Sequence, residues 1–235
     1  MQTLRLYFGI TRDSLLSFSK LFIIHQLTVK EVRRDSDDVM TFICTSNRKL
    51  DYKPGQYGIW SLKQFVKGKP GRLFTVASPP SEGVVQVSTR IGRTDFKQKL
   101  SHLTIGSKMQ MVGPIGEFTL PKQLPSEIVF VAGGIGITPI RALSKHIHDA
   151  RLPVTTTLIH SANDFYLYRD ELQDYVNNAI FISRDSFDTT LADTAAAQPN
   201  ATYYISGPPA FVDAAHTLLS NKKIQNIKTD GFLGY

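Results

Sequence analysis

This chain has little of what staples a small protein or loads it with metal. Its 235 residues include one cysteine, Cys44. That excludes an internal disulfide framework and an iron–sulfur cluster held by four thiolates of this chain. A reducing, cytoplasmic setting is the expectation. No apolar run approaches the roughly 18 residues of a membrane span. The stretch Leu21–Ile24, bounded by Lys20 and His25, is too short for the core of a secretory signal. Histidines at ligand spacing are also missing. His146 and His148 sit two apart on an expected helix and so face different ways, and His25, His102, His160 and His216 stand alone. No metal site is expected. Ser161 has no nucleophile elbow around it.

Acidic charge is scarce in one half only. Residues 1–122 carry 19 Lys and Arg against 9 Asp and Glu, a net of +10, whereas residues 123–235 carry 8 against 11, a net of −3. A basic half steers acidic partners or anionic ligands. Nucleic acid is not expected, because the basic residues are scattered and no recognition motif accompanies them.

Three regions follow from the pattern. Residues 1–24, an extension of unknown role, place Leu15, Leu16, Phe18, Leu21 and Phe22 along one face of a possible short helix, read as a docking or packing element ahead of a peripheral membrane contact or a frayed terminus. Residues 25–122 read as short strands, among them 28–32, 39–44, 84–89 and 108–112, with turns between them. Such a series predicts a small antiparallel barrel. The polar, proline-bearing stretch 121–127 marks the boundary. Residues 123–235 alternate strands with helices, which predicts a parallel sheet covered on both faces. Ligands in such folds lie beyond the carboxyl ends of the strands.

The candidate chemistry sits in a few motifs. Val129–Ala132 is a buried strand that runs into Gly133-Gly134-Ile135-Gly136-Ile137-Thr138-Pro139 and then a helix. Glycines let a ligand approach the backbone, and the free N–H groups of a helix start suit a phosphate. Upstream, Arg72-Leu73-Phe74-Thr75 offers a forked cation, an aromatic ring and a hydroxyl. Thr89 and Gly92-Arg93-Thr94 precede a helix near Asp95 and make a second anion site. Downstream stand Ser183-Arg184 after one strand and Ser206-Gly207-Pro208 after another. The chain closes on Asp230-Gly231-Phe232-Leu233-Gly234-Tyr235.

In this order and spacing the motifs resemble the ferredoxin–NADP reductase family, over roughly residues 25–235. The resemblance implies a flavin-binding β-barrel followed by a nicotinamide-binding α/β domain with a C-terminal aromatic tail. It implies hydride transfer from NAD(P)H to FAD, favoured over FMN, and then electron delivery to a separate acceptor. An acidic ferredoxin or flavodoxin suits the basic half. A flavin, quinone or ferric reductase is the other enzyme reading, and an electron-transfer subunit of a larger complex a third. By resemblance, Arg72 pairs with the flavin pyrophosphate, Phe74 covers the flavin, and Thr75 hydrogen-bonds its ring. Gly92, Arg93 and Thr94 hold its phosphate. Gly134, Gly136, Ile137, Thr138 and Pro139 seat the nicotinamide dinucleotide, together with Gly207 and Pro208. Ser183 and Arg184 hold a 2′-phosphate and favour NADPH, against which the neighbouring Asp185 counts. Ser206 stands where many relatives have cysteine beside the nicotinamide. Asp230 takes the place of a common glutamate that relays protons, and Phe232 or Tyr235 stacks on the flavin. The catalytic set is thus Thr75, Ser206 and Asp230.

Overall fold

The computed structural model describes residues 23–62 and 71–231. The expected helix within residues 1–24 falls almost wholly outside the described residues, as do Phe232 and Tyr235.

Six strands form the first sheet: β1 (Ile24–Arg34), β2 (Val39–Ser46), β3 (Tyr57–Ser61), β4 (Arg72–Thr75), β5 (Val85–Arg90) and β6 (Lys108–Ile115). Their order is β4-β3-β6-β1-β2-β5, with every pairing antiparallel. The two edges approach each other where the Ala77 N–H donates to the Gln86 carbonyl at 2.8 Å, so the barrel is nearly closed. Alternation along the strands turns Leu27, Val29, Phe42, Cys44, Trp60, Val85, Val87, Met109 and Met111 inward as the barrel core. Helix α1 (Asp95–Ser101) plugs one end with Leu100. Cys44 is fully buried, and burial pushes its thiol up to about 12, which makes it a packing residue.

The second sheet is parallel throughout: β7 (Glu127–Gly133), β8 (Thr155–Ser161), β9 (Asn178–Ile182), β10 (Thr202–Gly207) and β11 (Ile227–Gly231), in the order β11-β10-β7-β8-β9. Its central strands β7 and β10 are buried along nearly their whole length because both faces are covered. Side chains on one face join Ile137, Ile140 and Leu143 of helix α2 (Ile137–Asp149) and Leu172 of α3 (Arg169–Tyr175). Those on the other join Leu191 of α4 (Phe187–Ala197) and Val212, Ala215 and Leu219 of α5 (Pro209–Asn221).

Two local readings are corrected. Helix α2 begins at Ile137, within the glycine–proline motif rather than after it, and a 3-10 turn over Gly134–Gly136 leads into it, so the glycine stretch is itself helical. Helix α4 was not expected. Its sequence FDTTLADTAAA mixes β-branched and small polar residues and shows little helical periodicity. Burial of Phe187, Leu191 and Ala195 holds it in place. Among the described residues no helix is long and apolar enough to cross a membrane, and no cluster of His, Cys, Asp and Glu could hold a metal ion.

Candidate functional site

The parallel sheet ends in a cleft of about 1090 Å³. Its floor is the carboxyl end of the sheet, with Gly134, Ser161, Arg184 and Pro208, and the barrel side supplies Asp38 and Arg90. The position is the one such sheets reserve for ligands.

Backbone geometry explains the glycine turn. Gly134 has φ of 52°, a left-handed conformation that L side chains adopt only at a cost. Gly136 is needed for another reason. A Cβ there would lie 2.3 Å from the Ser206 carbonyl oxygen and 2.6 Å from Gly207 Cα. The Gly133–Pro139 and Ser206–Pro208 motifs are therefore in backbone contact, although seventy residues separate them. Ile137 and Pro139 are buried, and the Thr138 hydroxyl donates to the Ile135 carbonyl at 3.2 Å, so these three side chains shape the turn from within. His160, at the end of β8, bonds through Nε2 to the Gly134 carbonyl at 3.0 Å. Burial lowers its pKa to about 4, so the ring is neutral at physiological pH. Sequence reading passed over His160 because its partner is a main-chain carbonyl.

Among the described residues, Thr75 Oγ1, Ser206 Oγ and Asp230 Oδ2 are three of the buried polar atoms that lack a hydrogen-bond partner. An unpartnered buried polar group costs ~1–3 kcal/mol unless something bonds it. Ser206 and Asp230 are register partners on β10 and β11, and Thr75 is the register partner of Tyr57 across β4 and β3. Burial, and then the charge of Asp230, raises the Tyr57 phenol pKa, so Tyr57 lies within electrostatic reach of Asp230. The Asp230 carboxyl is itself pushed up to about 6 by burial. Tyr57 was not singled out in the sequence.

A second cluster lies on the barrel. The Arg72 guanidinium sits 5.9 Å from the Phe96 ring centre, and Phe74 lies 5.9 Å from the same ring. Lys97 has its pKa lowered by burial and then by Arg72 and Arg90, which places three cations together beside Gly92. Arg90 also forms an ion pair with Asp38 at the cleft mouth. A gathering of cations suits a polyanion such as a pyrophosphate. Phe96, Lys97, Arg90 and Asp38 were not singled out in the sequence. A lysine and an aromatic on the first turn of α1 were the available signal.

The remaining expected residues are placed as follows. Leu73 points outward and is 45% exposed. Thr89 is buried, and its hydroxyl donates to the Arg90 carbonyl at 3.3 Å. Arg93 is exposed, and Thr94 caps α1 by accepting the Lys97 N–H at 3.4 Å. Ser183 and Arg184 are exposed beyond β9, with Arg184 on the cleft wall. Pro208 caps α5 from the cleft floor. The orphaned hydroxyls and carboxyl, the three cations and the close-approach glycines fit the flavin and nicotinamide dinucleotide that the resemblance implies.

No family model matches the chain. The phenol hydroxylase P5 protein of Acinetobacter pittii is 25% identical over 234 residues, covering 89% of this chain and 65% of that protein. The glycine betaine monooxygenase reductase subunit of Pseudomonas aeruginosa is 26% identical over 157 residues, covering 63% of this chain and 42% of the relative. This chain thus spans less than two thirds of either. A ferredoxin NADP+ reductase from Neisseria gonorrhoeae, solved with bound FAD and NADP, superposes with a TM-score of 0.76 over 88% of this chain and 98% of its own, at 16% identity. That likeness carries the fold: a nearly closed barrel followed by a parallel-sheet domain.

Proposed function

We propose that this chain, which belongs to the ferredoxin–NADP reductase family, is an NAD(P)H-dependent flavin reductase that hands electrons to a separate acceptor. The observation that carries the reading is that Thr75 Oγ1, Ser206 Oγ and Asp230 Oδ2 are buried without partners, with Ser206 beside Asp230 across β10 and β11 and Thr75 beside Tyr57, whose phenol feels the Asp230 charge.

Bound FAD would supply the coupling of a two-electron donor to one-electron carriers. Arg72 and Lys97 would hold its pyrophosphate by charge, and Phe74 and Phe96 would flank an aromatic group of the cofactor. The Thr75 and Ser206 hydroxyls are positioned to orient polar ring edges, and their burial excludes water from the junction. Asp230 holds a proton at Oδ2 up to about pH 6. Gly136 keeps the Ser206–Gly207 backbone close to the nicotinamide turn.

NADPH is the favoured donor, on the strength of exposed Arg184 at the cleft wall. An acidic ferredoxin or flavodoxin suits the basic barrel half, and an oxygenase component is the second reading, because both curated relatives are named as parts of hydroxylase or monooxygenase systems. A cytoplasmic location follows from the same reading. The test is donor preference, measured with FAD and ferricyanide as acceptor. Arg184→Ala should raise KM for NADPH roughly tenfold, in the range of one lost charge-assisted bond, and leave KM for NADH unchanged. Equal effects on both donors would contradict phosphate recognition.

A further inference from the structure

The two sheets are joined by a buried polar latch that the proposed chemistry does not use. Tyr168 caps helix α3 with φ of 63°, a left-handed backbone unusual for a bulky residue. Its side chain is buried and crosses into the barrel. The Gln86 Nε2 donates to the phenol oxygen at 3.0 Å, and the phenol shares a short hydrogen bond with Ser88 Oγ. Ser88 bonds Thr41 Oγ1, which in turn donates to Asp35 Oδ2 at 2.6 Å. Donation from Gln86 at one end and from Thr41 at the other makes the chain run one way, from the Tyr168 hydroxyl to the Asp35 carboxylate.

Arg141 forms the other half of the latch. It belongs to α2, the helix that opens with the glycine turn. Its Nη1 donates to the Ala77 carbonyl at 3.0 Å, two residues beyond Thr75. It forks onto Glu82 at 2.9 Å through both Nη atoms and bonds Glu171 at 2.6 Å through Nη2. Its guanidinium carbon lies 5.1 Å from the Tyr168 ring centre. Burial alone would lower its pKa, but Glu82 and Glu171 more than offset this and raise it. The bonds to Ala77, Glu82, Gln86 and Ser88 therefore run from the glycine-turn side to the barrel segments that carry Thr75 and Arg90, while Glu171 anchors Arg141 within its own half.

We propose that Tyr168 and Arg141 are positioning residues that set the distance between the nicotinamide turn and the flavin motif. The inference rests on the flavin–nicotinamide reading above. A packed interface made only for stability needs no bond to the Thr75 segment and no strained tyrosine; an interface that sets a reaction distance benefits from both.

The test uses Tyr168→Phe, which keeps the ring and removes the hydroxyl, and Ser88→Ala, which removes the same bond from the barrel side. The first readout needs no cofactor. Spin labels are placed on cysteines introduced at Lys30 and Lys222, both exposed, while Cys44 is buried. The label–label distance distribution should shift or broaden in both variants. The second readout is anaerobic flavin reduction at saturating nucleotide. Its rate should fall about tenfold or more, with FAD occupancy and nucleotide Kd unchanged. An unchanged rate overturns the proposal even if Tm falls, because the latch would then be structural only. A reduced rate with an unchanged distance distribution also overturns it. If FAD bound to the unsubstituted chain is not reduced by either nucleotide, the flavin reading fails, and the label distances still decide whether the latch holds the two halves.

Discussion

Replacing Gly136 with alanine sets two effects of opposite sign against each other. The Gly136 backbone is right-handed helical, with φ of −60° and ψ of −6°. Alanine adopts that conformation freely, so the loss of unfolded-state freedom alone would stabilise the variant by about 0.4–1 kcal/mol. The new methyl, however, would stand 2.3 Å from the Ser206 carbonyl oxygen, 2.5 Å from its carbon and 2.6 Å from Gly207 Cα. Unstrained contacts of this kind lie near ~3.5–4.0 Å. All three atoms are main chain between a central strand and a helix cap, so relief requires moving the β10–α5 turn by roughly 1 Å. Overpacking of this kind costs about 1–3 kcal/mol or more, which outweighs the entropic gain. At about 2–4 °C per kcal/mol for a chain of this size, the Tm of Gly136→Ala should fall several degrees. Nucleotide affinity should fall with it, because the displaced turn lines the cleft. Gly92→Ala is the control: a methyl there meets only the flexible Lys97 Cδ, at 3.5 Å. Thermal melts followed by circular dichroism compare the two. A Gly136→Ala melt at or above that of the unsubstituted protein would refute the steric argument.

Other perturbations read other parts of the site. Arg72→Ala removes one of three clustered cations and should weaken FAD binding about ten- to a hundredfold by fluorescence titration, so unchanged occupancy would remove its assigned role. The Asp230 carboxyl stays protonated in the fold up to about pH 6, whereas in the unfolded chain it ionises near 3.8. Folding therefore loses stability as pH rises from about 4 to about 6, and Asp230→Asn should flatten that window and stabilise the protein at pH 7 by on the order of 2 kcal/mol. Identical pH–stability curves for the two proteins would show that Asp230 is solvated. His160 titrates near 4 in the fold because of its burial, so stability should also fall as pH drops from about 6.5 toward 4, and His160→Leu should remove that limb while loosening the Gly134 carbonyl.

Motif order carried the architecture. Strand–glycine–helix spacing located β7 and α2, and the alternation of strands and helices predicted the parallel sheet. Of the residues named from the sequence, Gly134 takes a left-handed backbone, Arg72 joins a cluster of cations, and Ser206 and Asp230 lie side by side near strand ends. The site was not legible where a role depends on contact between distant segments. Gly136 reads as a ligand-facing glycine, yet its immediate demand is the backbone of Ser206. Tyr57 and His160 act through register and a main-chain carbonyl, which no spacing rule records. Lys97 gains meaning only when Arg72 and Arg90 fold beside it. Helix α4 escaped because tertiary burial, rather than periodicity, selects it.

The two halves are proposed to meet as a junction between flavin and nicotinamide. The most direct test is the absorbance spectrum of the chain loaded with FAD, taken before and after anaerobic addition of NADPH and, separately, NADH. The expected result is a bound-flavin spectrum whose visible band bleaches at lower concentrations of NADPH than of NADH. Failure to take up FAD, or a bound flavin that neither nucleotide bleaches, would contradict it.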